Sequence, residues 1–275
     1  KNGINKSKTS PNKVVKETDQ PQKQSHSQKQ SHQAVTGAGI KNFYELESVQ
    51  EHMDKIPNPH FKDHGIKIHF NAILVASTGS GKTNALFNLF TRFHDTFNHI
   101  YIFTQEKEPL YDQITNQLSS DVLTIVYEGY RGFIMFQKKN PDVFYGNSLV
   151  IFDDFAMEKK QDSVEAHFIR GRKRSSTKGA GCSTLYLSQT YGDIPLSIRQ
   201  QCNLIFLIKI DNRDSLYRML RNYALKVSRD QLANMYDYCC DRGFFGNFML
   251  IDTKQHDLLK KFRCNFDEYL NPEDF

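Results

Sequence analysis

Two rhythms of apolar and polar positions alternate along the chain. Short apolar runs recur at Ile66–Ala76, His99–Thr104, Val122–Tyr127, Leu149–Asp153, Thr184–Ser188 and Asn203–Ile210. Each is rich in Ile, Leu, Val, Phe or Tyr, as strands buried on both faces are. Between several of them lie stretches of helical period: Thr83–Phe93, Leu110–Leu118, Val164–Arg170 and Ser215–Tyr223. Strands alternating with helices predict an α/β fold, a mainly parallel sheet with helices on both faces. Residues 41–65 mix polar and aromatic positions and carry Pro57-Asn58-Pro59, which predicts a short helix and then a turn. No repeat period is visible, so residues 37–275 read as one domain.

Residues 1–36 break the pattern. They are Lys, Gln, Ser and Asn with almost nothing to bury, and they predict a disordered arm. The arm also changes the meaning of the charge. The 275 residues carry a formal net charge of +5, and residues 1–35 hold seven Lys against Glu17 and Asp19, which accounts for all of it. The domain is balanced. A Lys-rich arm suits salt-dependent, sequence-blind contact with phosphates, and it equally suits a solvated leader with no partner. The apolar runs are too short to span a bilayer, and no N-terminal stretch has the form of a signal peptide, although the chain does not begin with Met. The cysteines Cys182, Cys202, Cys239, Cys240 and Cys264 show no CxxC spacing. Their odd number predicts free thiols in a reducing compartment.

The candidate chemistry begins at Ala76-Ser77-Thr78-Gly79-Ser80-Gly81-Lys82-Thr83, between the apolar run Asn71–Val75 and the helical run Asn84–Phe93. Strand, glycine-rich loop and helix are the context of a phosphate-binding P-loop. Ser77, Thr78, Gly79, Ser80, Gly81, Lys82, Thr83 and Asn84 are its candidate nucleotide-binding residues. Gly79 and Gly81 allow backbone N–H groups to turn inward, and the helix amino end adds partial positive charge. Lys82 reaches the β- and γ-phosphates and the Thr83 hydroxyl is placed for Mg²⁺, so ATP and Mg²⁺ are the expected ligands. Ala76 departs from the pattern, standing where the first glycine is usual.

Seventy-one residues after Lys82 an apolar strand ends in Asp153-Asp154. Ligands of open α/β sheets sit off the carboxyl ends of the strands, so Asp153 is the candidate metal-side carboxylate, beside Thr83. Asp154 is the candidate that orients or deprotonates water, and Glu106, after the strand ending at Thr104, is its substitute. Read alone, the two acids better describe a solvated strand end; paired with the P-loop, they read as its metal-side partner. Gln189 follows the strand Thr184–Ser188, and its amide is suited to sensing a γ-phosphate.

In this order, ASTGSGKT, LVIFDDF, TLYLSQTYGDIPLSIRQQCNLIFLIK and RDSLYRMLRNY, the chain resembles the DNA-packaging ATPases of the FtsK–HerA superfamily, above all the virophage and Polinton type. The likeness covers roughly residues 66–270, including Phe244–Asp252 and Arg263–Tyr269 as that family's last strand and tail. It implies a P-loop fold of the additional-strand type, with the Gln189 strand between the P-loop strand and the Asp153 strand. It further implies a homo-oligomeric ring moving double-stranded DNA by its backbone into a viral capsid at a vertex, in the host cytoplasm, a viral factory or the virion, with no membrane partner. Each ATP site of the ring would be completed by a neighbour's arginine. Gly171-Arg172-Lys173 stands where the family carries Gly-Arg-His, which makes Arg172 the candidate catalytic finger, with Arg170, Arg174 and Arg199 as alternatives. A cellular or plasmid DNA translocase and a nucleotide-gated scaffold without productive hydrolysis are the competing functions.

Other features have plainer readings. Arg170–Lys178 holds five basic residues in nine and suits a DNA channel or a solvated loop. Arg213, Arg218 and Arg221 read as the solvated face of an amphipathic helix. His60, His64 and His69 lack the companions of a zinc site. Cys239-Cys240 reads as packed thiols, and Leu86, Phe87, Leu89 and Phe90 as core.

Overall fold

The computed structural model describes residues 43, 46–48, 57–141, 143–144, 147–171, 181–243 and 246–275. The chain divides into Lys1–Asn42 and Phe43–Phe275, and the sheet and its helices belong to the second unit. The predicted arm lies outside the described residues.

One sheet of nine strands organises this unit. Six of them run parallel: β1 (Asn71–Val75), β2 (His99–Thr104), β3 (Leu123–Tyr127), β4 (Ser148–Asp153), β5 (Cys182–Ser188) and β6 (Leu204–Leu207). The order is β3-β2-β4-β5-β1-β6, then β7 (Met249–Asp252), β8 (Phe262–Cys264) and β9 (Glu268–Leu270), which join antiparallel. Sequence periodicity thus identifies the parallel part and leaves the antiparallel extension to the family likeness.

All five residues of β1 are buried, as a central strand covered on both faces requires. Ile73 and Val75 enter one apolar layer, with Phe103, Phe133, Phe152 and Phe168. Ala72 and Leu74 enter the other, with Leu86, Leu89 and Phe93. Each fully buried large side chain contributes about 1.5–3 kcal/mol, so the two layers fix the strand register and hold the strand ends level.

The predicted helices appear with shifted ends, as α2 (Lys82–Arg92), α3 (Pro109–Gln117), α5 (Asp162–Arg170) and α7 (Asp214–Asn222). Three more lie outside the predicted set: α4 (Gly129–Lys139), α6 (Leu196–Gln201) and α8 (Arg229–Cys240). Near the start, Glu47 and Ser48 are helical and precede the turn at Pro59–His60, in the predicted order, and a further short helix, α1 (Phe61–His64), follows the turn. Among the described residues no helix is long and apolar enough to cross a membrane.

The neighbourhood β4-β5-β1 is the one that matters for function. In this register Val75 lies opposite Ser188 and Asp153 opposite Leu187. The carboxyl ends of three strands therefore deliver the glycine-rich loop, the Asp153-Asp154 pair and Gln189 side by side. The β5 strand between the other two is the placement that the family likeness implied.

Candidate nucleotide site

The glycine-rich loop leaves β1 and is tied down at its first turn. Ser77 N–H donates to the Lys209 carbonyl at 2.9 Å, and the Ser77 hydroxyl accepts the Asp211 N–H at 2.9 Å. The Ser80 hydroxyl donates to the Ser77 carbonyl at 2.6 Å. Gly79 (φ +73°) and Gly81 (φ +97°) adopt the left-handed backbone that side chains disfavour. Ala76, which departs from the usual glycine, is buried and belongs to the apolar layer under α2. Its methyl group is absorbed by the core. The amino end of α2 has no acidic residue in its first turn and no side-chain cap, so its N–H groups and dipole are directed at the cleft without internal neutralisation.

Lys82 and Asp153 meet directly. Nζ lies 2.9 Å from Oδ1, and the two side chains are only 13% and 4% exposed. Asp153 Oδ2 accepts the Tyr111 hydroxyl at 2.7 Å and the Thr104 hydroxyl at 3.4 Å. A buried carboxylate is tolerable only when paired and hydrogen-bonded in this way. This rules out the solvated strand end for Asp153. Burial works against the Lys82 charge, but Asp153, helped by Asp154 and Glu108, outweighs it and raises the lysine above its ordinary pKa. Burial and then Asp153 push the Tyr111 phenol far above its usual range, so it acts as a hydrogen-bond donor.

Gln189 bridges the loop and the second acid. Its Oε1 accepts the Thr78 hydroxyl at 2.8 Å, and its Nε2 donates to Asp154 Oδ2 at 3.4 Å. Asp154 itself adopts a positive φ of 62°, which turns the chain away from β4 immediately after Asp153.

A cavity of about 300 Å³ opens over these groups. The loop residues Ser77, Thr78, Gly79, Gly81, Lys82, Thr83 and Asn84 line it, together with Glu106, Glu108, Asp154 and Gln189. Ser80 is turned inward onto Ser77. Sequence reasoning missed Glu108. Its carboxylate accepts the Thr83 hydroxyl at 2.5 Å, on the side where a metal is expected. The pairing Thr104↔Asp153 brings the segment after β2 beside the acidic strand end, and that pairing is not visible in the sequence. Thr83, Asp153 and Glu108 form a set of hard oxygen donors suited to Mg²⁺, and the two hydrogen-bonded oxygens of Thr83 and Glu108 fit adjacent positions around a small cation.

The arginine candidates separate. Arg172 and Arg174 lie outside the described residues. Arg170 is exposed at the end of α5. Arg199 is half-buried with its guanidinium 4.9 Å from the centre of its own Tyr191 ring. The three histidines considered for zinc are not assembled as a set. His64 is buried against Phe93, whereas His60 groups with His94 and Asp95. Among the described residues none of the five cysteines forms a disulfide.

The chain has relatives among known proteins. Residues 59–251 match the family described as Poxvirus A32 protein. The DNA packaging protein OPG160 of Variola virus is 25% identical over 185 residues, covering 62% of this chain and 64% of its own. OPG160 of Monkeypox virus is likewise 25% identical over 185 residues, which is 57% of its length. This chain therefore spans less than two thirds of the length of these relatives. Among solved structures, the genome packaging NTPase B204 of Sulfolobus turreted icosahedral virus 2, in complex with AMP, is similar with a TM-score of 0.48 and 13% identity, covering 73% of this chain and 98% of that one. Its complex with ATP-gammaS gives 0.46 and 12%, over 68% and 94%. With seven tenths of its length inside the match, the chain belongs to the Poxvirus A32 protein family.

Proposed function

We propose that this protein is an ATP-driven motor that moves double-stranded DNA into a viral capsid, working as a ring of identical subunits. The observation that carries the reading is the buried Lys82–Asp153 pair set under a phosphate loop, with Gln189 joining that loop to Asp154. Membership of a family whose relatives are called DNA packaging proteins supports the choice of polymer.

The loop N–H groups and the α2 amino end hold the phosphates of ATP, and Lys82 exchanges one oxyanion partner, Asp153, for another on the γ-phosphate. Because the exchange keeps the lysine paired, it costs little of the desolvation that an unpaired buried cation would incur. Thr83, Asp153 and Glu108 are the residues that would hold Mg²⁺. Bound there, the ion would neutralise charge developing on the phosphate. Asp154 orients the attacking water and accepts its proton, with Glu106 across the cavity as the other carboxylate able to do so. Gln189, held by Thr78 at one end and Asp154 at the other, links the occupancy of the loop to the water-activating carboxylate. Arg172 of a neighbouring subunit is the proposed finger. DNA is held through its phosphates, and the capsid vertex is the docking partner.

A steady-state ATPase assay with Mg²⁺, with and without duplex DNA, tests the proposal. The expected result is hydrolysis that duplex stimulates and Lys82→Ala abolishes through loss of ATP binding. Absence of hydrolysis with duplex and Mg²⁺ at every protein concentration would overturn it.

A further inference from the structure

A second and larger cavity, of about 1060 Å³, lies at the other edge of the sheet. Asn71 begins β1, Leu204 begins β6 and Asp252 ends the antiparallel β7, and all three line it. It therefore opens at the amino ends of the parallel strands, one strand length from the glycine-rich loop, or about 17 Å for five residues. Its volume exceeds the upper end of ordinary small-molecule pockets, roughly 1000 Å³, and it is an open groove suited to a polymer segment.

The groove is cationic. Lys62, Lys67, Lys254 and Lys260 line it and are exposed. Lys260 has a carboxylate partner, Asp257 at 3.5 Å. Among the described residues Lys62, Lys67 and Lys254 have none within 4.0 Å. Among the described residues Asp252 is also the only carboxylate on the lining, and its Oδ1 is already occupied by the N–H groups of Lys254 (3.0 Å) and Gln255 (3.2 Å). Below them Arg263 is buried, donating to the carbonyls of His64 and Gly65 at 2.6 and 3.2 Å and lying over the Tyr269 ring. That guanidinium adds fixed positive charge to the floor and locks α1, which carries Lys62, against β8. Three ammonium groups without a carboxylate partner among the described residues, one on α1 and two on the chain beside β1 and β7, over a buried cation match a polyanion.

The geometry points to this groove as the surface on which one strand of duplex DNA lays its phosphates, on the sheet edge opposite the nucleotide cleft. The inference rests on the motor reading above and supplies its missing grip. Contact is to phosphate only and carries no sequence preference, because ammonium groups on flexible stems recognise charge and not base edges. Each lysine seated on a phosphate releases a counterion, which contributes about 0.9 to the slope of log affinity against log salt.

The test uses the full chain and two triple variants that remove equal charge. One is Lys62→Gln, Lys67→Gln and Lys254→Gln in the groove. The other is Lys138→Gln, Lys139→Gln and Lys159→Gln, exposed positions outside the groove. Duplex affinity is measured across a salt series, and ATP hydrolysis is measured without DNA. The expected result is a groove variant whose salt slope is shallower by about 0.9 for each lysine engaged, a control variant with the parent's slope, and DNA-free hydrolysis unchanged in both. A parental slope in the groove variant, or an equal loss in the control, overturns the groove while leaving the motor reading intact. Single-stranded DNA affinity is measured in the same series, and its loss with duplex binding unchanged overturns the duplex assignment. A parent protein that hydrolyses no ATP, or binds no duplex at any salt, overturns the motor reading first.

Discussion

The two edges of the central sheet carry opposite electrostatics. At the carboxyl edge, charge is buried, paired and counted: Lys82 sits on Asp153, Thr83 on Glu108, and Gln189 spans Thr78 and Asp154. At the amino edge, Lys62, Lys67 and Lys254 stand exposed and, among the described residues, have no carboxylate within 4.0 Å. The first arrangement loses little to salt, because neither ion of the pair is accessible to it. The second is screened over about 10 Å at 0.1 M ionic strength. Fixed partners suit a reaction in which one phosphate must be held in one geometry. Unpaired, mobile cations suit a polymer that has to move on. The same strands support both, because β1 runs from Asn71 in the groove to the loop beyond Val75.

The sharpest way to separate the edges is to remove the arginine proposed to complete the nucleotide site from a neighbour. Arg172→Ala should leave ATP binding in place and lower turnover by about 10³–10⁵, the usual worth of such a finger. The salt slope for duplex should stay near the parent's. Near-normal turnover in assembled rings would transfer the role, with exposed Arg170 the first substitute to examine.

Next in size is Glu108. Glu108→Gln keeps the shape but removes the charge facing the Thr83 hydroxyl. A carboxylate hydrogen-bonded to a metal ligand, as Glu108 is to Thr83, is typically worth at least 10–100-fold in metal affinity, so the Mg²⁺ concentration giving half-maximal hydrolysis should rise by about that factor or more. If the Mg²⁺ titration is unmoved, Glu108 merely anchors the segment ahead of α3, and the carboxyl edge has one carboxylate fewer in its chemistry.

Legibility in the sequence depends on how local each feature is. The P-loop, the Asp153-Asp154 strand end and Gln189 each lie within a few residues of an apolar strand, so the P-loop is visible by itself and the other two become visible in combination with it. Glu108 and Tyr111 join the site only because β2 pairs with β4, a contact between segments some fifty residues apart. Gly129 and Gly132 near its start hide the α4 helix, since glycine argues against helix. Gly132 is required there, as a Cβ would come within 2.9 Å of the Tyr127 carbonyl. By contrast, α8 carries a legible signal in its Ser228–Gln231 capping box, although its apolar pattern alone does not predict it. Strands β7 to β9 are three or four residues long, too short for a period. The charged groove is illegible because α1 is far in sequence from β7 and β8.

A third contrast concerns the hydroxyl on Asp153. Tyr111→Phe removes the 2.7 Å donor and leaves Oδ2 with Thr104 at 3.4 Å. A hydrogen bond to a charged group is worth about 1.5–3 kcal/mol, and denaturant unfolding should show a loss of that order. Tyr186→Phe is the matched control, since the Tyr186 hydroxyl is as buried but donates to the neutral Gln161 amide oxygen at 2.9 Å. Its expected cost is smaller, about 0.5–1.5 kcal/mol. Equal losses would mean that the Asp153 charge is held by Lys82 alone.

The smallest effect probes the amino edge from beneath. His64 is buried under the groove, and its pKa is lowered to about 4, first by burial and then by Arg263. Its Nδ1 accepts the Ile66 N–H at 3.0 Å, which requires the neutral ring. Unfolding frees the imidazole to titrate at its ordinary value of 6.5. Between about pH 6.5 and 4 the unfolded chain therefore binds a proton that the native chain does not, so native stability falls as the pH falls through that window. His64→Asn should flatten the pH dependence of the denaturation midpoint there, whatever it does to the absolute midpoint. An unchanged slope would assign the acid sensitivity to other groups. It would also show that the cation-rich edge tolerates one more positive charge below its floor.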